Sequence, residues 1–204
     1  MLKYNTVIFD LDGVLVDACE WHRIALNEAL HEICNYKIEY DDHIETFNGI
    51  PTIKKLQILH QRGIVKEKDF LLIHKTKQDK TVNIINKMCK PRNDKLLLFD
   101  WLKSKNIKTC CFTNSVSLTA NLMLKKSNIY DKLSMLVTNE DVSNPKPDPE
   151  GYLKIINELN LNKKNVLIVE DSPKGIASAR ASGCRVLEVS GVNEVNINLF
   201  KGIL

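Results

Sequence analysis

The chain has 204 residues, of which 44% are hydrophobic and 26% charged, and its formal net charge is +4. These values are typical of a folded globular protein, and the length allows one sizeable domain or a core with a smaller insertion. The lysines are scattered rather than clustered, so no basic stripe indicates nucleic-acid binding. No apolar run approaches the roughly 20 residues that span a bilayer, so no membrane partner is expected.

The cysteines and the first residues indicate the cellular compartment. The sequence leads straight into a predicted strand, with no pattern typical of a secretory signal. None of the six cysteines forms a Cys-x-x-Cys pair, so we do not expect a zinc site. We therefore expect a cytoplasmic protein with reduced, partly buried thiols, present as a monomer or a weak homodimer.

Predicted strands and helices alternate along most of the chain. A first strand at 6–9 is followed by helical patterns without a convincing strand. Apolar runs typical of strands then recur, with helical spacing of apolar residues between them. The strands are predicted at 108–113, 135–138, 165–170 and 185–189, and the helices at 116–126, 150–159 and 175–182. This alternation predicts an α/β fold, a Rossmann-like parallel sheet with helices on both faces.

The segment after the first strand predicts a second module. Helical patterns at 21–33, 51–60 and 69–88 fill it. We therefore expect residues 1–16 and 90–204 to form the core and residues 17–89 to form an inserted helical cap domain.

Three capping signals support the predicted helices of the core. Ser115 precedes one helix, and Asp148 and Ser172 each stand directly before a proline. Such side chains can accept a hydrogen bond from the first turn, and proline is favoured at the first helical position.

The run Val-Ile-Phe-Asp-Leu-Asp-Gly places two carboxylates at the end of the first strand. Asp10 and Asp12 are spaced i, i+2, so in extended backbone their side chains share one face. Open α/β sheets bind ligands at the carboxyl ends of their strands. Two carboxylates held close together repel each other unless a cation or a proton intervenes. The pair therefore suits a magnesium ion and a phosphate group.

Three more polar clusters lie at or near the ends of later strands. Thr113 and Asn114 follow the second strand, Lys146 lies in a proline-rich loop after the third, and Glu170 and Asp171 end the fourth. With the first pair they supply a nucleophile, hydrogen-bond donors for a phosphate, a fixed positive charge and metal-binding carboxylates.

In their order and spacing these four motifs resemble those of the haloacid dehalogenase superfamily, in the β-phosphoglucomutase-like branch of small phosphatases with a helical cap. The resemblance covers the core nearly end to end and the cap more loosely. It implies that Asp10 attacks phosphorus and becomes an aspartyl phosphate. Asp12 would be the general acid and base, protonating the leaving alcohol and then activating water.

The resemblance also implies a cofactor and a phosphate site. Mg²⁺ would bind the Asp10 side chain, the Asp12 backbone carbonyl and Asp171, with Glu170 acting directly or through a water. Thr113, the backbone N–H of Asn114 and Lys146 would hold the transferring phosphoryl oxygens.

The cap would set specificity for a small phosphoester. In mutase-like relatives a histidine and a cap loop near the substrate match His22, Asn48 and Gly49. Those relatives carry a basic residue and an arginine where this chain has Asn48 and Thr52, and a hydroxyl residue where it has Ala18. We therefore expect hydrolysis of a small phosphomonoester, a sugar phosphate. Two alternatives stay open: Lys54 and Lys55 could supply the cations of a phosphosugar mutase, and the chain could be a non-catalytic binding module.

Overall fold

The computed structural model describes residues 3–203, which divide into two compact units. The core unit comprises the residues up to Asp17 and those from Lys90 onwards, and the cap unit comprises Ala18–Cys89. Within the described residues, no helix is both long and apolar enough to cross a membrane.

The core unit is built on five parallel strands in the order β3-β2-β1-β4-β5. The strands are β1 (Thr6–Phe9), β2 (Lys108–Phe112), β3 (Met135–Val137), β4 (Val166–Glu170) and β5 (Arg185–Glu188). The central strand β1 pairs with β2 on one side and with β4 on the other, and its residues are fully buried. Continuous burial explains why its sequence is an unbroken apolar run rather than an alternating one. The carboxyl ends of β1, β2 and β4 therefore lie side by side.

Helices connect and cover these strands. They are α5 (Asn93–Ser104), α6 (Ser117–Lys126), α7 (Glu150–Glu158), α8 (Pro173–Ala181) and α9 (Ile197–Lys201). One apolar cluster joins residues of α7 and α8 to the sheet, among them Tyr152, Ile155 and Ala179. The predicted α/β fold, a Rossmann-like parallel sheet with helices on both faces and an inserted helical cap, is confirmed.

The capping predictions had different outcomes. Ser172 does cap α8, since its hydroxyl accepts from Gly175 N–H at 3.1 Å and Pro173 takes the first helical position. Asp148 accepts from Glu150 N–H at 2.9 Å, although Pro149 occupies the N-cap position. The prediction for Ser115 was wrong, because α6 begins two residues later and its N-cap residue is Val116.

The cap unit is helical throughout its regular structure. It contains α1 (Cys19–Cys34), α2 (Tyr40–Asp42), a π-helical turn (His43–Phe47), α3 (Thr52–Gln61) and α4 (Phe70–Met88). Its own apolar cluster joins α1, α3 and α4 through buried residues such as Leu30, Phe47, Leu56 and Ile73. This cluster gives the cap unit a hydrophobic core separate from that of the sheet.

Candidate active site

A tight turn after β1 places the first two carboxylates. Asp10 N–H donates to Val169 O at 3.0 Å, so the ladder between β1 and β4 extends one residue beyond the strand. The chain then turns at Gly13, whose φ of 92° lies in the left-handed region that glycine adopts without a steric penalty. Leu15 and Val16 N–H both donate to Leu11 O at 2.9 Å and close the turn.

Lys146 is the buried cation of the site. Its Nζ lies 2.6 Å from Asp10 Oδ1, 2.5 Å from Glu170 Oε1 and 2.9 Å from Phe112 O, and the residue is 4% exposed. Burial alone would lower the pKa of Lys146, but the charges and hydrogen bonds of Asp10 and Glu170 together raise it above its ordinary value. The ammonium is therefore a fixed positive charge at the end of β1.

Asn114 fixes the loop that carries this lysine. Its Oδ1 accepts from Lys146 N–H at 3.0 Å, and its Nδ2 donates to Lys146 O at 3.2 Å. The Asn114 side chain, at the end of β2, thus makes with the loop backbone the two hydrogen bonds that a neighbouring strand would otherwise make. Sequence reasoning expected the backbone N–H of Asn114 to matter and did not foresee this side-chain contact.

Two hydroxyl groups hold the Asp12 carboxylate. Thr113 Oγ1 donates to Asp12 Oδ2 at 3.0 Å, and Ser115 Oγ donates to the same oxygen at 2.8 Å. Ser115 N–H in turn donates to Thr113 Oγ1 at 2.9 Å. The Ser115 hydroxyl, which the sequence predicts to cap α6, thus donates to Asp12 instead. At the start of α6 the N–H of Ser117 donates to Glu140 Oε2 at 2.6 Å.

Glu170 and Asp171 complete an acidic cluster at the end of β4. One ligand atom each from Asp10, Glu170 and Asp171 lie within 4.8 Å of one another. Glu170 is fully buried and accepts from Asp171 N–H at 3.2 Å. Gly175 provides the space for its carboxylate, since a Cβ at that position would lie 2.1 Å from Glu170 Oε2.

The electrostatics of this cluster favour a cation. Burial raises the pKa of Asp10 well above its ordinary value, and the charge of Lys146 offsets this only in part because three other carboxylates raise it further. Burial and the charge of Glu170 raise the pKa of Asp171 to about 7. One ammonium faces four carboxyl groups here, so the cluster carries negative charge that a bound cation would neutralise.

The residues present fit a magnesium ion. Asp171 Oδ1 is buried and has no hydrogen-bond partner within residues 3–203. A buried carboxylate oxygen without a partner is costly unless it has a ligand. Mg²⁺ prefers one or two carboxylates together with water and phosphate oxygens, and Asp10 and Asp171 offer such a set.

The cap residues singled out from the sequence lie within the cap unit. His22 is on α1, and its Nδ1 lies 3.1 Å from Nζ of Lys77 on α4. Asn48 directly follows the π-helical turn, and Gly49 has a φ of 73°.

Sequence reasoning assigned Ser115 to helix capping only, and it missed two further polar residues of interest, Lys77 and Tyr152. Lys77 is 7% exposed and belongs to the buried stripe of α4, which also contains Ile73, Thr81 and Ile85. The signal in the sequence was a lysine at a position of this i, i+4 pattern where an apolar residue is expected, which indicates a buried lysine. Tyr152 occupies an ordinary core position of α7, and nothing in its sequence context distinguishes it.

Comparison with known proteins identifies the family of the chain. Residues 7–189 match the family of haloacid dehalogenase-like hydrolases. The match covers most of the chain, which therefore belongs to this family.

Two curated relatives are phosphatases. The chain is 26% identical to the phosphorylated carbohydrates phosphatase of Thermotoga maritima, over 88% of this chain and 82% of that protein. It is 25% identical to the pyrophosphatase PpaX of Bacillus cereus, over 93% of this chain and 84% of that protein. The protein is thus of the haloacid dehalogenase-type phosphatase class.

A solved structure shows the same fold. The β-phosphoglucomutase of Clostridium difficile superimposes with a TM-score of 0.82 and 24% identity, covering 99% of this chain and 96% of that one. At this identity the likeness concerns the fold alone.

Proposed function

We propose that this protein is a magnesium-dependent phosphomonoesterase that hydrolyses a small phosphorylated metabolite through an aspartyl-phosphate intermediate. The observation that carries the proposal is the contact of 2.6 Å between Lys146 Nζ and Asp10 Oδ1, next to the unpartnered oxygen of Asp171. Phosphoryl transfer depends on positioning and charge neutralisation more than on covalent chemistry. A buried carboxylate beside a fixed cation and a candidate metal position supplies both.

In the first step, an Asp10 carboxylate oxygen attacks phosphorus. A bond forms between that oxygen and phosphorus, and the bond from phosphorus to the substrate alcohol breaks. Asp12 gives its proton to the leaving alcohol oxygen. Lys146 and the backbone N–H of Asn114 hold the phosphoryl oxygens. The Thr113 hydroxyl, whose one proton is donated to Asp12 in the structure, would turn to a phosphoryl oxygen when substrate is bound.

In the second step, water attacks phosphorus of the aspartyl phosphate. Asp12, now a carboxylate, accepts the proton of the attacking water, and the bond between phosphorus and Asp10 breaks. Inorganic phosphate leaves, and both aspartates return to their starting forms. The hydroxyl groups of Thr113 and Ser115 suit the carboxylate form of Asp12, because both donate to the same oxygen.

The Asp10 and Asp171 side chains and the Asp12 backbone carbonyl would hold Mg²⁺, with Glu170 supporting them. When bound, the ion neutralises charge on the phosphoryl oxygens. The protein holds one carboxylate oxygen each of Asp10, Glu170 and Asp171 within 4.8 Å of one another, close enough to share one ion.

A sugar phosphate is the substrate class we propose. The support is the relative from Thermotoga maritima, which is named for phosphorylated carbohydrates. His22, Asn48 and Gly49 of the cap unit would contact the part of the substrate beyond its phosphate. Because another relative is a pyrophosphatase, pyrophosphate belongs in any substrate panel.

A phosphosugar mutase is the second candidate. A mutase must hold a bisphosphorylated intermediate and so needs cations for a second phosphate. Asn48 and Thr52 supply none, but Lys55 is 7% exposed, and a buried lysine in the cap unit is the observation that favours this alternative.

The test is phosphate release from a panel of sugar phosphates, nucleoside monophosphates and pyrophosphate, with and without Mg²⁺. The wild type is compared with Asp10→Asn, which keeps the size of the side chain and removes the nucleophile. Metal-dependent release that disappears in Asp10→Asn is the expected result. Undiminished release in Asp10→Asn contradicts the proposal, and conversion of a hexose 1-phosphate to its isomer with little free phosphate indicates the mutase.

A further inference from the structure

Tyr152 reaches the acidic cluster from the hydrophobic core. It lies on α7 among apolar residues and is fully buried. Its hydroxyl donates to Glu170 Oε1 at 2.6 Å. A buried tyrosine usually needs a partner for its hydroxyl, but this partner is a carboxylate of the candidate metal site rather than a backbone carbonyl. The residue follows the Lys146 loop and belongs to none of the four sequence motifs.

The Tyr152 hydroxyl determines how Glu170 is oriented. Lys146 Nζ shares Oε1 with it at 2.5 Å, and Asp171 N–H lies 3.2 Å from Oε2. On the Oε2 side Gly175 leaves no further room, since even a Cβ there would lie 2.1 Å from that oxygen. Rotation of the carboxylate would therefore have to break the bond to Tyr152.

The tyrosine ring also confines Lys146. Lys146 Nζ lies 5.2 Å from the centre of the Tyr152 ring and 4.7 Å from that of Phe112. The two rings meet edge to face with their centres 4.9 Å apart. An ammonium over aromatic faces is held by the negative charge of those faces. Tyr152 thus contacts Glu170 through its hydroxyl and Lys146 through its ring.

We infer that Tyr152 is a positioning residue for the metal site: its hydroxyl holds Glu170 so that Asp10, Glu170 and Asp171 present their oxygens to one Mg²⁺ ion. The inference rests on the proposed magnesium-dependent function. Partners that orient metal ligands commonly contribute 10–100-fold to metal affinity. The competing view is that Tyr152 only fills the core, in which case loss of its hydroxyl changes stability and leaves metal affinity alone.

The test is calorimetric Mg²⁺ titration of the full chain without substrate. Tyr152→Phe removes one oxygen and keeps the ring over Lys146. We expect its Mg²⁺ dissociation constant to rise by about tenfold or more. Tyr4→Phe is the matched control, because Tyr4 is a buried tyrosine of the same unit at 3% exposure, and its affinity should equal that of the wild type. An affinity of Tyr152→Phe within twofold of the wild type overturns the inference.

A double-mutant cycle with Glu170→Gln tests whether Tyr152 acts through Glu170. Tyr152→Phe should weaken Mg²⁺ binding in the wild-type background and add little in the Glu170→Gln background. Equal losses in both backgrounds overturn the inference. If Tyr152→Phe does not fold, Glu170→Gln alone still tests the inference. Unchanged Mg²⁺ affinity in Glu170→Gln would overturn it, because Glu170 would then contribute nothing to metal binding that Tyr152 could position. If the wild-type protein itself binds no Mg²⁺, the proposed magnesium-dependent function fails together with the inference. If the wild type binds Mg²⁺ and Tyr152→Phe binds it equally well, only the inference about Tyr152 fails.

Discussion

The Ser115 hydroxyl donates to Asp12 Oδ2 at 2.8 Å, on the same oxygen that accepts from Thr113. The two donors come from the loop after β2, whereas Asp12 comes from the loop after β1. This contact ties the proposed general acid and base to a neighbouring strand. It also gives Ser115 a role that its position before a helix does not suggest.

Ser115→Ala should lower kcat by about tenfold, because a hydrogen bond to a charged group contributes about 1.5–3 kcal/mol and the orientation of Asp12 depends on this one. Thr113 still holds the same oxygen, so activity should not disappear. The measurement is steady-state phosphate release under saturating Mg²⁺. Ser117→Ala is the control, since Ser117 lies on the first turn of α6 and its hydroxyl accepts from Asn121. Equal kcat values for the two variants would contradict the role assigned to Ser115.

Lys146→Met should destabilise the metal-free protein. Lys146 Nζ contacts both Asp10 and Glu170, and breaking a buried ion pair by removing one partner typically costs about 3–5 kcal/mol. We expect urea denaturation to show a loss of that order and phosphatase activity to disappear. Lys164→Met, which removes an exposed lysine of the same unit, should leave unfolding unchanged. A loss as small as in this control would mean that the contacts of Lys146 do not stabilise the fold.

The pKa of Asp171, raised to about 7, predicts a pH-dependent metal affinity. A raised carboxyl pKa stabilises the metal-free fold below the unfolded value of 3.8, and this stabilisation is lost as pH rises through about 7. Mg²⁺ competes with that proton, so its affinity should increase between about pH 6 and pH 8. Calorimetry in two buffers of different ionisation enthalpy should detect proton release at pH 6.5. Asp171→Asn should reduce the release and weaken binding, with Asp10 as the other carboxyl of raised pKa that can release a proton. An affinity that is flat across this range would contradict the assignment.

Burial and the charges of Lys55 and Arg23 lower the pKa of His43 in the cap unit to about 4. A lowered histidine pKa gives stability that is present above the unfolded value of 6.5 and is lost as pH falls towards 4. The shift corresponds to about 3 kcal/mol at most. We expect the cap unit to become easier to unfold between pH 6.5 and pH 4.5, as followed by fluorescence of Trp21 in a Trp101→Phe background.

The control for His43 separates it from other titrating groups. His43→Gln should remove most of this pH dependence, and His31→Gln, at an exposed position on α1, should preserve it. If both variants follow the pH dependence of the parent protein, another group is responsible.

The sheet and the convergence of its polar strand ends could be predicted from the sequence, because buried parallel strands are unbroken apolar runs and the residues after them meet at one edge. The predicted ends of these strands and helices differ from the observed ones by at most two residues. Helix α5 was missed, since its run Leu-Leu-Leu-Phe hides the helical period and its fully buried Lys95 occupies a position expected to be apolar.

Contacts between distant residues could not be predicted in the same way. Lys95 Nζ donates to the backbone carbonyls of Val192 and Val195, about a hundred residues along the chain. Tyr152 and Glu170 likewise meet only because α7 packs on the sheet. Periodicity shows which residues are buried, but a polar group at a buried position finds its partner only through the tertiary fold.

Gly175→Ala tests how closely α8 must approach Glu170. A Cβ at residue 175 would lie 2.1 Å from Glu170 Oε2, far closer than a non-bonded carbon and oxygen can approach, so the carboxylate or the helix must move. We expect kcat/KM to fall by more than tenfold and Mg²⁺ binding to weaken, because small displacements of oriented groups are costly in catalysis. Gly202→Ala is the matched control, with no atom within 4 Å of the added Cβ, and it should retain full activity. Activity in Gly175→Ala equal to that of Gly202→Ala would show that Glu170 can move without consequence, which would also weaken the case for Tyr152 as its positioning residue.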